Sequence, residues 1–492
     1  MTARIERSSQ ILLLMIAVLA CTDISCTSAP REVTSQVSLP QRFTASGDRP
    51  LPREWWDSFE DSDLTGFIER ALEANFSLQI AWDRLAQAEA IVRREGADLY
   101  PSLDLSAGAS RTATRQRTSN GSRETDYAGN ISLGAAAGYE LDLWGRIRSS
   151  RDAAVLDARA GAEELQVAAI GLTAQVALDW YQLVEQYGQL EILTDQLDVN
   201  LKVLELVTLR FRRGQVGAAD VLRQRQLVES SRGEIESSES LAKILEHRLL
   251  ILQGRPPADP VAAPPRRSRL VELPPLPETG LPVELVTRRP DIRQAYWRVL
   301  AADRDVAAAF AARFPRLTLS VRAETSAEEV GDLFEGWLAT IAADLVGPVI
   351  DGGSRRSEVE RACALLSERL HELGQVVLDA LGEVEDALVR ERRQGAVITS
   401  LAKQLELSNQ VVERVRDSYT KGAVEYLNVL DALLSNQSLQ RTLLQARRLK
   451  IEFRIDLCRA LAGGISLSRP ELATLAEDMA DAFGGETINF DE

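Results

Sequence analysis

"NISLGAAAGYELDLWGRIRSS" (residues 130–150) changes its period at one glycine, and that change decides the fold. Before Gly145 the residues alternate. Ile131, Leu133, Ala135, Ala137, Tyr139, Leu141 and Leu143 share one face; Asn130, Ser132, Gly134, Ala136, Gly138, Glu140 and Asp142 share the other. A period of two is that of a strand, here apolar on one side and small or polar on the other. An acid pair such as Glu140 and Asp142 is expensive against lipid and acceptable against water. After Gly145 the period turns helical, and no proline occurs between Pro101 and Pro256. The helix predicted from Arg146 to about Arg212 would be roughly 90–100 Å long. Val176, Leu183, Leu190, Leu197, Leu204 and Phe211 recur every seven residues, interleaved by Trp180, Tyr187, Thr194, Leu201 and Thr208. Such a seam predicts coiled-coil packing.

Upstream, Leu64, Phe67, Ile68, Ala71 and Leu72 start a helical pattern that runs to Ala97. Pro101 ends it, and alternation begins: Leu103, Leu105, Ala107 and Ala109 against Asp104, Ser106, Gly108 and Ser110. With the polar stretch "RTATRQRTSNGSRET" (111–125) between them, two strands of about 8–15 residues form a hairpin. Downstream, "RRGQVGAAD" (212–220) carries Gly214 and Gly217, which allow a reversal into a return helix, about Asp220–Leu252.

A proline-rich connector follows, and then the order repeats. "LPVELVTRRPDIRQAYWRVLAADRDVAAAF" (281–310) reads as helix and "FPRLTLSVRAE" (314–324) as strand. "TSAEEVGDLFEG" (325–336) reads as loop, and "WLATIAADLVGPVI" (337–350) as a strand of weaker alternation. A long helix then starts at "DGGSRRSEVERA" (351–362), with Ile398, Leu401, Leu405, Val412, Val415 and Tyr419 along its seam. It reverses in "YTKGAVEYLNVLDAL" (419–433), and the return helix runs to about Ala462. Gly145 and Gly353, Gly214 and Gly422, and Val221-Leu222 and Val429-Leu430 are all 208 positions apart. The chain is an internal duplication.

The N-terminus carries Arg4 and Arg7 before the apolar run Ile11–Ala20, which is too short to span a bilayer and has the shape of a signal peptide. Val18-Leu19-Ala20-Cys21 resembles a bacterial lipobox, which would place a lipid on Cys21; the alternative is an ordinary signal peptide with a chance cysteine. Thr22 rather than an acid directly after Cys21 favours the outer membrane. The expected organisation is a signal peptide (1–20), a tether (21–50) and a first repeat (51–254) with strand hairpin 101–144 and helical hairpin 145–254. A connector (255–281) leads to a second repeat (282–463), with strand hairpin 315–350 and helical hairpin 352–463. A tail (464–492) follows, whose seven acids and no base from Glu471 onward predict loose packing.

Composition excludes several functions. The net charge of −16 over 492 residues offers no basic surplus for nucleic acid. Cys21, Cys26, Cys363 and Cys458 form no CxxC, so neither a zinc site nor a redox motif is expected. The two histidines, His247 and His371, make no HExxH, and no GxSxG or P-loop phrase occurs. No catalytic residue, resident metal or cofactor is expected. "TRRPD" (287–291) reads as a helix cap at the waist rather than a basic patch.

No segment after the signal peptide reads as a membrane helix, so any crossing must use strands. Each half supplies two strands, and four cannot close a barrel. Open edges are not tolerated in lipid, so the chain must assemble with copies of itself. Three copies give twelve strands; two give eight, which fill their own lumen. The helices would continue the same cylinder away from the membrane.

Four stretches carry a resemblance to the TolC-like outer-membrane efflux factors, of the lipidated type that serves resistance-nodulation-division pumps. They are "WWDSFEDSDLTGFIERALEANFSL" (55–78), "YELDLWGRIRSSRDAA" (139–154), "LPVELVTRRPDIRQAYWRVLAADRDVAAAFAARFPRLTLS" (281–320) and the two glycine turns. The resemblance implies a mainly α fold with a membrane part: a homotrimer whose twelve-stranded outer-membrane β-barrel continues into a periplasmic α-helical barrel. It implies a lipid anchor in the outer membrane, no catalysis, and two protein partners, a periplasmic adaptor and an inner-membrane pump. It also implies a passive exit duct gated at the helix tips. Carried over residue by residue, the gate acid matches Asp220. The second tip has Asn428 where many relatives have an acid, with Asp431 one turn later. Tyr419 matches an aromatic that holds the closed tip, while Val424 stands where a basic partner would be. The turns at Gly214, Gly217 and Gly422 match adaptor contacts. A plainer reading of Asp220 and Asp431 is that they complement helix N-termini. Two other functions fit parts of the sequence: a duct for type I protein secretion, and a periplasmic coiled-coil lipoprotein without a duct. Nothing identifies the cargo.

Overall fold

The computed structural model describes residues 37–117, 123–257 and 264–467. The expected signal peptide, Cys21, most of the tether and nearly all of the acidic tail lie outside the described residues.

A 3-10 turn, Trp55–Phe59, leads into α1 (Ser62–Ala74) and α2 (Phe76–Ala97). The single helix expected over this stretch breaks at Asn75, whose side chain accepts from the Leu78 N–H at 3.1 Å and so starts a new helix. β1 (Ser102–Arg117) and β2 (Arg123–Leu141) follow. Next come α3 (Arg146–Arg212) and α4 (Ala218–Leu252). The second repeat runs α5 (Pro282–Arg288), α6 (Pro290–Ala311), β3 (Arg316–Ala327), β4 (Leu338–Val346), α7 (Ser354–Thr420) and α8 (Tyr426–Leu461). Here too one expected helix is two, because Pro290 disfavours helical backbone at Arg289. The long helices α3 and α7 have 67 residues each, and α2 and α6 have 22 each.

Both long helices start on an aspartate. Asp142 accepts from the N–H groups of Ile147 (3.1 Å) and Arg148 (2.9 Å), and Asp351 from those of Gly353 (2.9 Å) and Arg355 (3.3 Å). Each satisfies amides that the first turn leaves free. Burial opposes ionisation of Asp142, but the two N–H bonds and Arg148 outweigh it and hold the carboxyl below its usual range.

The four strands form one antiparallel sheet in the order β1-β2-β3-β4. Leu105 faces Ala135, Ala135 faces Ala323 and Ala323 faces Ala339, so the apolar faces of all four strands coincide. The adjacent row, Asp104–Ala136–Arg322–Thr340, puts the charges on the opposite face. β1 and β2 have 16 and 19 residues, longer than the alternation suggests. The polar stretch keeps pairing as far as Arg117↔Arg123, since backbone bonding does not require apolar side chains. Among the described residues the outer edges of β1 and β4 are unpaired.

α3 is the centre of a helical wall. Its upper half packs on α1, α2 and α6, its lower half on α4 and α8, and α7 packs on α6 and α8. The upstream and return helices abut end to end beside the long one. Asn75 Nδ2 donates to the Leu252 carbonyl at 2.8 Å, and Arg289 Nη1 to the Ala460 carbonyl at 3.0 Å. In each repeat the residue that starts the upstream helix therefore ties down the end of the return helix. Against the expectation that no segment after the signal peptide is apolar enough for a membrane helix, one stretch of α3 is long and apolar enough to cross a membrane. It is 61% buried, so its apolarity serves wall packing.

The core lies beside the middle of α3, from Leu165 to Tyr187, where the upstream and return helices abut. Trp55, Trp56, Phe59, Phe67, Trp180 and Tyr181 are buried together with Leu245, Leu249, Ile451 and Ile455. Asp61 caps α1 through the Leu64 N–H, accepts from Trp180 Nε1 at 3.0 Å and pairs with Arg267 at 2.7 Å.

The heptad seam of α3 holds only over this middle stretch. Val176, Trp180, Leu183 and Tyr187 are buried, but Thr194, Leu201 and Phe211 are exposed and Gln196, Asn200 and Val207 lie inside. The buried face rotates because the neighbours of α3 change. The new inner positions are amides that bond across the helices: Asn200 Nδ2 to Ser231 Oγ (2.9 Å), Gln437 Nε2 to Asn200 Oδ1 (3.0 Å), Gln196 Nε2 to the Gln437 carbonyl (3.1 Å). The seam of α7 follows its sequence pattern, with Ile398, Leu401, Leu405, Val412, Val415 and Tyr419 facing inward.

Trp180→Ala removes the largest fully buried side chain of α3 and strips Asp61 of a donor. A loss of about 3–5 kcal/mol is expected, read as a lower melting temperature by circular dichroism. A wild-type melt would show that this cluster is not the core that holds the wall.

Candidate functional site

The far ends of the two helical hairpins meet. Each long helix ends in the same way. The Gln215 N–H returns to the Arg210 carbonyl at 3.0 Å, and the Ala423 N–H to the Ser418 carbonyl at 2.9 Å. Between each pair sits a left-handed glycine, Gly214 at φ 71° and Gly422 at φ 76°. This is the Schellman closure, and it explains why a glycine interrupts each good helical run. Gly217 is different. It has φ −78° and only precedes α4, and Glu425 stands at the matching place before α8. The reversal therefore needs one glycine per tip.

Val207 and Val221 from the first hairpin pack with Tyr419, Tyr426 and Val429 from the second. The tyrosine rings meet edge-on at 6.3 Å. Arg210, in the last turn of α3, crosses between the hairpins. Its guanidinium lies 4.1 Å over the Tyr419 ring and donates to the carbonyls of Tyr419 (3.0 Å) and Thr420 (3.1 Å). A cation thus closes the C-terminal end of α7, where the helix dipole is negative. The Tyr426 hydroxyl donates to Gln224 Oε1. Burial and the nearby Asp220 carboxylate push Tyr426 up, which keeps it protonated as a donor.

The expected gate residues separate into two groups. Tyr419 is 4% exposed and belongs to the inter-hairpin cluster. Asp220 lies beside it in the first turn of α4, where it complements the helix N-terminus and pairs with Arg223 at 3.2 Å. Asn428 and Asp431 are exposed on α8, one turn apart. By the 208-residue offset, Asn428 matches Asp220 and Asp431 matches Arg223. The two tips therefore present different charges at equivalent places. Sequence reasoning missed Arg210 and Gln224. Neither breaks a pattern in its own helix, and their partners lie about two hundred residues away.

Both flanks of the wall carry exposed apolar stripes. Leu222, Leu241, Ile244 and Ile251 line α4; Leu378, Val389, Leu407 and Val411 line α7. These flanks continue the two unpaired sheet edges.

The family model described as outer membrane efflux protein matches residues 67–254 and 281–463, one match for each repeat. The pyoverdine export outer membrane protein OpmQ of Pseudomonas aeruginosa is 30% identical over 466 residues, covering 91% of this chain and 96% of that protein. The toluene efflux pump outer membrane protein TtgI of Pseudomonas putida is 28% identical over 418 residues, covering 84% of this chain and 87% of that one. The solved outer-membrane channel OprN superposes with a TM-score of 0.78 at 25% identity, over 88% of this chain and 98% of its own. With two repeats, one sheet and two hairpin tips arranged in this way, the chain belongs to the outer membrane efflux protein family and is an outer-membrane component of an efflux system.

Proposed function

We propose that the protein is the passive exit duct of a tripartite efflux system, built as a homotrimer, lipid-anchored at Cys21 and shut at rest by its helix tips. The observation that carries this reading is the pair of open flanks. One side ends in β1 and α4, the other in β4 and α7, and the two differ, so copies join head to tail and close a ring. A spacer without a duct has no use for a lipid-type sheet. OpmQ and TtgI are named for pyoverdine and toluene, cargoes with little chemistry in common, which fits a duct without a substrate pocket. An inner-membrane pump would set the cargo, and a periplasmic adaptor would dock on the turns at Gly214, Gly217 and Gly422.

Within this reading the gate has two parts. The lock is inside each protomer: Arg210 holds α3 against the end of α7. The selective ring is between protomers, and Asp431 dominates it, because Arg223 offsets Asp220. Three unpaired carboxylates across a narrow lumen repel one another or recruit a cation.

Arg210→Ala removes about 2–4 kcal/mol of contact between the hairpins. Single-channel conductance in planar bilayers is expected to rise several-fold; an unchanged conductance would show that the lock lies elsewhere. Cation preference in the same bilayers should fall strongly in Asp431→Asn and little in Asp220→Asn. The reverse order would return the ring to Asp220. Ile244→Lys places a charge in the contact between copies and is expected to leave monomers on native gels, whereas an intact trimer would remove the α4 flank from the interface.

A further inference from the structure

The outward face of the first strand hairpin changes character at one level. Below it, that face carries Leu103, Leu105, Ala107 and Ala109 on β1, opposite Ala137, Ala135, Leu133 and Ile131 on β2. Above it, the same face carries Arg111, Arg115, Arg117 and Arg123, in the register Arg111↔Gly129, Arg115↔Thr125 and Arg117↔Arg123. The opposite face over this stretch of β1 holds Ser110, Thr112, Thr114 and Gln116, and β2 places Asp126 there. Four arginines are thus sorted onto one face in a chain whose net charge is −16. All four are exposed. Arg111 lies 5.5 Å from the centre of the Tyr127 ring, and none of the four is ion-paired with another described residue.

A groove of about 610 Å³ lies beneath them on the same face. It is lined by Leu105, Ala107, Leu133, Ala135, Phe334 and Trp337. The β3–β4 loop forms its roof and is held down by the Thr325 hydroxyl, which bonds to the carbonyls of Leu333 and Gly336. Phe334 and Trp337 are 78% and 77% exposed, although their loop is pinned. Arg111 stands four residues beyond Ala107 along β1, about 13 Å farther out.

We propose that this face binds a phosphate-bearing lipid of the outer leaflet, with its phosphates on the four arginines and an acyl chain in the groove under Phe334 and Trp337. The proposal rests on the outer-membrane duct reading, which sets the direction of the hairpin and turns its apolar face to lipid. Guanidinium groups pair with phosphate oxygens in a planar, two-point manner, and near a membrane surface their charge is weakly screened. A soluble anion would use the arginines and leave the groove without a role; a lipid uses both.

The test uses the purified full-length trimer in detergent and two probes, bis-phosphorylated lipid A and the same lipid with its phosphates removed. Binding is read by native mass spectrometry and by titration. Lipid A is expected to bind the wild type, and dephosphorylation is expected to weaken binding at least about tenfold. The variant R111Q/R115Q/R117Q/R123Q should lose the preference for phosphate, and F334A/W337A should weaken both lipids. Trimer mass and planar-bilayer conductance should stay at wild-type values in both variants, which separates this site from the duct. A conducting quadruple variant that still prefers the phosphorylated lipid overturns the proposal. A wild-type protein that forms no conducting trimer overturns the duct reading, and the outward assignment of this face with it.

Discussion

The peptide groups along the outer edges of β1 and β4 have no partner within the described chain, and the interior of a bilayer offers none. An unmet N–H or C=O in hydrocarbon costs several kcal/mol, so four strands with two open edges are not a stable object in a membrane. This one constraint organises the rest. It demands further copies, and it demands that each copy's left edge fit its neighbour's right edge. Asp142, the residue after β2, binds the first turn of α3 directly to the strand end, while Asp351 caps α7 after the four residues 347–350 that follow β4. A ring that closes in the sheet is therefore carried into the helical wall, where exposed aliphatic stripes on α4 and α7 take over the role of the unpaired edges.

The two repeats show where evolution kept geometry and where it did not. Asn75 and Arg289 start the upstream helices 214 positions apart, while Gly145 and Gly353 start the long ones 208 apart. The missing six residues come out of the strand hairpin alone. Lengths that must match across the wall are kept, and the strand hairpins differ. Asn75 and Arg289 share no chemistry beyond a donor that reaches a carbonyl at the end of the return helix. Position is conserved between the repeats where side-chain type is not.

Much of this was legible in the residues, for a physical reason. A strand that meets lipid on one side and water on the other must alternate, and a wall of paired helices must repeat every seven. Both periods are visible around Gly145, and α3 starts at Arg146, the residue after that glycine. The seam of α7, from Ile398 to Tyr419, also follows its apolar pattern. What stayed hidden depends on partners distant in sequence. Leu197 and Leu201 continue the heptad of α3, yet Gln196 and Asn200 are the residues inside, because Ser231 of α4 and Gln437 of α8 wait for them there. Arg210 looks like any basic residue near a helix end until Tyr419 is placed beneath it. The break at Asn75 is written in a single residue type and is outweighed by the helical pattern on both sides. Periodicity reports the average environment of a helix, and these residues answer to one neighbour each.

The amide ladder in the lower wall gives the protein a gradient of stiffness. Around Trp180 the helices interlock through large apolar side chains, and a shift of half a residue would open voids that the packing cannot refill. Around Asn200, Gln224 and Gln437 the contacts are hydrogen bonds between groups that both give and accept. Such groups pass from one partner to the next as helices slide, and no donor need be stranded on the way. The helical wall is thus stiff around Trp180 and yields more readily around Asn200, where amides replace leucine along a single helix, before the apolar cluster of Val207, Tyr419 and Tyr426 closes the tip.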